Sequence, residues 1–77
     1  MRSITKIIGK NIKIARIKKD WSQAELAHRL NVEQSYVSRI ESGTITISFQ
    51  RLYEIIIILD CDINEIFPSI SDIKKSI

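Results

Sequence analysis

Residues 22–43 read SQAELAHRLNVEQSYVSRIESG, and their spacing decides the fold. Ser22, with Glu25 three residues on, has the form of a capping box: the hydroxyl meets the Glu25 amide while the carboxylate reaches back to the cap amide. A helix is expected from about Gln23 to Leu30, with Leu26, Ala27 and Leu30 on one apolar side. Asn31 tolerates the left-handed conformation that ends a helix. A second helix is expected from about Glu33 to Ser42, stopped by Gly43, with Val37 and Ile40 facing inward. Its other side carries Gln34, Ser35, Ser38 and Arg39, where a face made only for solvent would more often carry Lys and Glu. A Gln amide pairs with adenine, an Arg fork matches guanine, and Ser reaches a base edge or a phosphate. Two short helices joined by a tight turn, the second presenting such a face, fit a helix-turn-helix.

The flanking segments extend the pattern. Upstream, Ile8, Ile12 and Ala15 mark the buried stripe of a helix from about Thr5 to Lys19, capped by Ser3 or Thr5. Downstream, Ser48 caps a helix reaching Leu59, with Phe49, Leu52, Ile55, Ile56 and Leu59 as its apolar stripe. Asp62 caps a short last helix, Ile63 to Phe67, ended by Pro68, and Thr44–Ile47 reads as an extended loop. The expected architecture is all-α: a five-helix helix-turn-helix domain over residues 1–68, followed by a short tail, 69–77. Ile70, Ile73 and Ile77 recur at helical spacing in that tail and suit either dimerisation or folding back on Ile7, Ile14 and Ile17.

These residues resemble a known family. Ser22-Gln23-Ala24-Glu25-Leu26-Ala27, Leu30-Asn31-Val32 and Ser35-Tyr36-Val37-Ser38-Arg39-Ile40-Glu41-Ser42-Gly43 look like the Xre family of phage Cro and repressor-type domains, and are similar to the controller proteins of restriction-modification systems. Ile8-Gly9-Lys10-Asn11-Ile12 and Arg16 fit its first helix, and Leu59 to Phe67 its last, so the resemblance spans about residues 7–67 without a gap. It implies that Gln34, Ser35, Ser38 and Arg39 face base edges of double-stranded DNA. It implies phosphate contacts from Ser22, Gln23, Tyr36 and Thr44, and a structural salt bridge between Arg16 and Glu41. Asn31 and Asp20 stand where relatives often have Gly, Ile47 where Pro is frequent, and Glu33 opens the recognition helix with a charge that repels phosphate.

Composition narrows the function. Seventy-seven residues make one domain, and a chain of this size buries only about 60% of its unfolded surface. One Cys forms no internal disulfide, and with one His it cannot alone complete a structural zinc site. No nucleophile–base–orienter set and no phosphate-cradling Gly-rich loop is present, so neither an enzyme, a cofactor nor a metal is expected. His28 reads as an exposed helix residue, Cys61 as core, and Trp21 as packed against the first two helices. No segment has the ~18–20 apolar residues that cross a bilayer, and Lys or Gly interrupts the basic N-terminus too often for a signal peptide; a cytoplasmic protein without membrane attachment is expected.

The formal charge of +3 hides an asymmetry: residues 1–19 hold Arg2, Lys6, Lys10, Lys13, Arg16, Lys18 and Lys19 without an acid, whereas beyond residue 52 five acids outnumber Lys74 and Lys75. Eighteen residues are Ile, more than a thin core needs. Ile14, Ile17, Ile57, Ile70, Ile73 and Ile77 are the surplus, and exposed apolar surface on a small domain marks a contact. Ile57, Ile70, Ile73 and Ile77 are therefore expected at a homodimer interface. The reading is a repressor acting as a homodimer on a palindromic operator. Two alternatives share the fold: an antitoxin-type regulator whose free apolar stripe takes a partner toxin, and a restriction-modification controller that activates.

Overall fold

The computed structural model describes residues 3–76, with side chains described as far as Lys74. Six helices follow in order: α1 (Ile4–Lys18), α2 (Gln23–Leu30), α3 (Gln34–Ser42), α4 (Phe49–Leu59), α5 (Ile63–Ile66) and α6 (Ile70–Ser76). The first five form the all-α domain anticipated above, with no strand among the described residues; α6 is the helical tail.

Local chemistry sets the helix ends. The Ser22 hydroxyl oxygen accepts the Glu25 N–H at 3.0 Å, and Ser48 accepts that of Arg51 at 3.1 Å. The expected box at α2 is only half made, because the Glu25 carboxylate turns to Arg29, one helical turn on, at 3.0 Å. A complete box forms at α5: Asp62 accepts the Asn64 amide, and Glu65 accepts the Asp62 amide at 2.9 Å. Ser3 occupies the cap position of α1, but its side chain makes no capping bond.

The turns that close α1, α2, α3 and α4 contain a left-handed residue: Asp20, Asn31, Gly43 and Asp60, with φ of 60°, 58°, 73° and 50°. Asp and Asn adopt this region with less strain than most side chains. At Gly43 only glycine fits for a second reason, since an added Cβ would run into the Lys6 backbone and side chain.

The core is one apolar cluster. Ile8, Ile12 and Ala15 of α1 meet Leu26, Ala27 and Leu30 of α2, Val37 and Ile40 of α3, Leu52, Ile55 and Leu59 of α4, and Ile66 of α5. Burying each large aliphatic side chain contributes about 1.5–3 kcal/mol relative to exposure. Gly9 permits the close approach of α1 to α3, because a Cβ there would collide with the Ile40 carbonyl oxygen. The Asn11 amide donates to the Ile66 carbonyl at 2.8 Å and ties α1 to the end of α5.

Phe49 departs from the expected α4 stripe: it is 78% exposed. It lies four residues before Tyr53 and eight before Ile57, so these three share the outer ridge while Leu52, Ile55 and Leu59 turn inward. Trp21 and Cys61 are half-buried against the core, and His28 is exposed. Burial pushes the Cys61 thiol above its ordinary value, and the nearby Glu65 charge adds to the effect. That favours the protonated thiol.

Candidate nucleic-acid interface

Because Val37, Ile40 and Glu41 of α3 are buried, the remaining positions of the helix are turned outward. Ser35, Ser38, Arg39 and Ser42 follow at intervals of three, four and seven and are all exposed, with Gln34 exposed on the first turn. The Arg39 guanidinium folds back along its own helix, Nε donating to the Ser35 carbonyl at 3.3 Å. Arg39 therefore retains a weak bond to its own helix that any outside acceptor has to replace.

The end of α3 is cross-braced. The Ser42 and Thr44 hydroxyls both donate to the Arg39 carbonyl, at 3.1 and 3.2 Å, and stand 3.2 Å from each other. This holds Thr44 against the last turn of the helix. Ser42 lies in the middle of the outward face and was not singled out from the sequence; its i+7 spacing from Ser35 was the available signal.

At the start of α2, Ser22 is exposed and its oxygen serves as the cap acceptor, which leaves its O–H as a donor. Gln23, the first residue of α2, is half-buried, and its Nε2 donates to Glu41 Oε1 at 3.0 Å. Glu41 also accepts twice from Arg16: Nε reaches Oε2 at 2.7 Å and Nη2 reaches Oε1 at 3.1 Å. The third donor of that guanidinium, Nη1, reaches the Trp21 carbonyl at 2.6 Å. The Arg16 and Glu41 residues are each 8% exposed, so this fork joins α1, α3 and the entry to α2 away from water. Arg29 stacks over the Trp21 ring at 4.0 Å on the outer side.

Tyr36 is half-buried at the first turn of α3, with the Arg51 guanidinium 5.5 Å from its ring centre and Arg51 itself paired to Glu54 at 3.1 Å. Nothing in the sequence marks Arg51, because fifteen residues separate it from Tyr36 and only the docking of α4 brings it there. Of the residues expected at a dimer contact, Ile57 and Ile70 are 74% and 76% exposed, and Ile73 is half-buried. Ile77 lies outside the described residues. Ile14 and Ile17 also remain exposed among the described residues, whereas Ile7 is half-buried. No group of three or more His, Cys, Asp and Glu side chains that could hold a metal gathers among the described residues.

A helix-turn-helix family model matches residues 12–66, most of the chain. This chain belongs to the helix-turn-helix family of Xre/Cro type. The family is one of DNA-binding transcription regulators rather than enzymes. Among solved structures, the restriction-modification controller protein C.AhdI from Aeromonas hydrophila superposes with a TM-score of 0.75 at 27% identity, covering 82% of this chain and 96% of that one. A hypothetical transcription factor, NHTF, from Neisseria superposes with a TM-score of 0.80 at 21% identity, covering 97% of this chain and 86% of that one; it shares the fold. No curated protein sequence is similar enough to count as a relative. No described helix is long and apolar enough to cross a membrane.

Proposed function

We propose that this regulator represses transcription as a homodimer on a palindromic operator, with α3 of each copy in the major groove. The observation that carries the reading is the outward face of α3, where Ser35, Ser38 and Arg39 stand exposed beside Gln34 with Arg39 as the only charge among them. Arg39 and Gln34 would read base edges through bidentate bonds, with Ser35 and Ser38 close to the groove floor. Ser22, Gln23, Tyr36 and Thr44 would fix the helix on the phosphates without reading sequence. The basic residues of α1 add a sequence-independent attraction.

A ridge of exposed, uncharged side chains on α4, Phe49, Tyr53 and Ile57, adjoins Ile63 of α5 and the half-buried Phe67 just after it, and Ile70 of α6 is exposed as well. A two-fold contact brings a surface against itself, and this ridge carries no like charges to oppose that. With Ile73 and Ile77 of the tail, it forms the proposed dimer surface. Two-fold symmetry then sets the half-sites about one helical turn apart. Occupying a promoter suffices for repression. A second reading, a restriction-modification controller, is supported by the similarity to C.AhdI, itself a restriction-modification controller protein.

Selection from a random-sequence duplex pool with the purified protein tests the proposal. The expected result is a two-fold-symmetric consensus. Enrichment of unrelated sequences would overturn base reading, and an asymmetric single site would overturn the dimer.

A further inference from the structure

Glu41 lies on the inner side of the recognition helix, yet it touches one of the residues placed at the phosphates. Its carboxylate accepts from Arg16 on both oxygens and, on Oε1, also from Gln23 Nε2 at 3.0 Å. With its side chain only 3% exposed, it has little access to water, and the bond fixes the sense of the Gln23 amide. An ionised carboxylate only accepts hydrogen bonds, so the amide must turn its nitrogen toward Glu41 and its carbonyl oxygen away. The nitrogen carries two protons, one of which is used on Glu41. The other is left for a further acceptor, and Gln23 opens α2, where backbone N–H groups are also unpaired by the helix. Without the carboxylate the amide could equally present its oxygen, which would repel a phosphate.

We propose that Glu41 is a positioning residue for DNA binding, holding the Gln23 amide with a donor turned outward, while Arg16 holds the carboxylate in place and offsets its charge. The inference rests on the assignment of Gln23 to a phosphate. It extends the Arg16–Glu41 pair from a brace between two helices to a device that also aims a contact on a third.

The test is a mutant cycle read on a labelled duplex of mixed sequence, about 30 base pairs long, since phosphate contacts do not depend on operator sequence. Glu41→Gln removes a negative charge, so charge alone makes the protein bind DNA more tightly. Positioning gives the opposite sign: affinity falls roughly three- to tenfold when Gln23 is present and less than about twofold in the Gln23→Ala background. Because Gln23 is neutral, its loss lowers affinity while leaving the salt dependence of binding unchanged. The side-chain amide resonances of Gln23 should also shift and narrow their separation in Glu41→Gln.

Equal losses in both backgrounds, or tighter binding by Glu41→Gln, would overturn the positioning role while leaving the DNA-binding reading intact. An unchanged affinity for Gln23→Ala would overturn the phosphate assignment itself. Should Glu41→Gln melt below the assay temperature, Glu41→Asp serves in the same cycle. It keeps the charge for Arg16 but draws the carboxylate back by one methylene, and the same non-additivity with Gln23→Ala is expected.

Discussion

Replacing Arg16 by Met tests what the buried pair does for the fold. Met keeps most of the length and apolar volume of the side chain but removes three donated bonds, two to Glu41 at 2.7 and 3.1 Å and one to the Trp21 carbonyl at 2.6 Å. Glu41 is then left as a buried carboxylate supported by the Gln23 amide. Removing one partner of a buried ion pair costs about 3–5 kcal/mol, most of it the penalty of the charge left behind. At roughly 0.05–0.15 kcal/mol per residue the whole domain is worth about 4–12 kcal/mol, so the variant should lose about a quarter or more of its stability. The unfolding midpoint falls about 4–8 °C per kcal/mol in a domain of this size. If the stranded charge is the cause, Arg16→Met with Glu41→Leu should recover most of the loss, since apolar replacements of buried pairs are often neutral or better. Urea unfolding followed by far-ultraviolet circular dichroism measures both. A loss below about 1 kcal/mol for the single variant, or a double variant weaker than the single one, would refute the reasoning. The recovered double variant should still bind DNA no better than Gln23→Ala.

Four further outcomes are expected. Arg39→Ala should cost ~1–3 kcal/mol at one base position and relax preference there; an unchanged selected consensus would remove Arg39 from base reading. Asp60→Gly should raise stability by roughly 0.5–1 kcal/mol, because Asp60 sits at φ 50° where glycine meets no Cβ penalty, and thermal melts would show it. The Asp62 backbone N–H, with Lys18 adding to it, holds the Glu65 carboxyl below its ordinary value. The folded state thus gains from this group above the ordinary carboxylate range and loses the gain as pH falls through it. The stability gap between the parent and Glu65→Gln should therefore close in acid. Ile57→Lys, placing a charge on the outer ridge of α4, should shift sedimentation toward the monomer while the helical signal is kept.

The helices that build the domain were legible because their limits rest on local chemistry. Ser22, Ser48, Asp62, Asn31 and Gly43 mark ends through bonds or backbone angles that involve only neighbouring residues. The outward polar face of α3 was legible for a related reason, since the inward period of Val37 and Ile40 leaves that side defined. Less visible was what competing partners do. Glu25 had two local options and took the charged one, Arg29, so the box at α2 stayed half open. Phe49 is large and apolar and so reads as core, whereas its register puts it with Tyr53 and Ile57. The Gln23–Glu41 bond spans 18 residues, and the Arg51–Tyr36 stack depends on how α4 docks. Both are products of tertiary packing that no short motif records.

The chain contains one tryptophan beside two tyrosines, so emission excited beyond the tyrosine absorption band has a single source. Trp21 has its carbonyl bonded to Arg16, its ring under Arg29 at 4.0 Å and the Lys19 ammonium 5.6 Å from the ring centre. Two cations beside an indole tune its emission, and both shift if α1 and α2 part. Intrinsic fluorescence therefore reports the junction of α1 with α2 and is silent about α6, which helical dichroism does sense. A separation of the two signals during denaturation would time the detachment of the tail against the opening of the domain, with no label added.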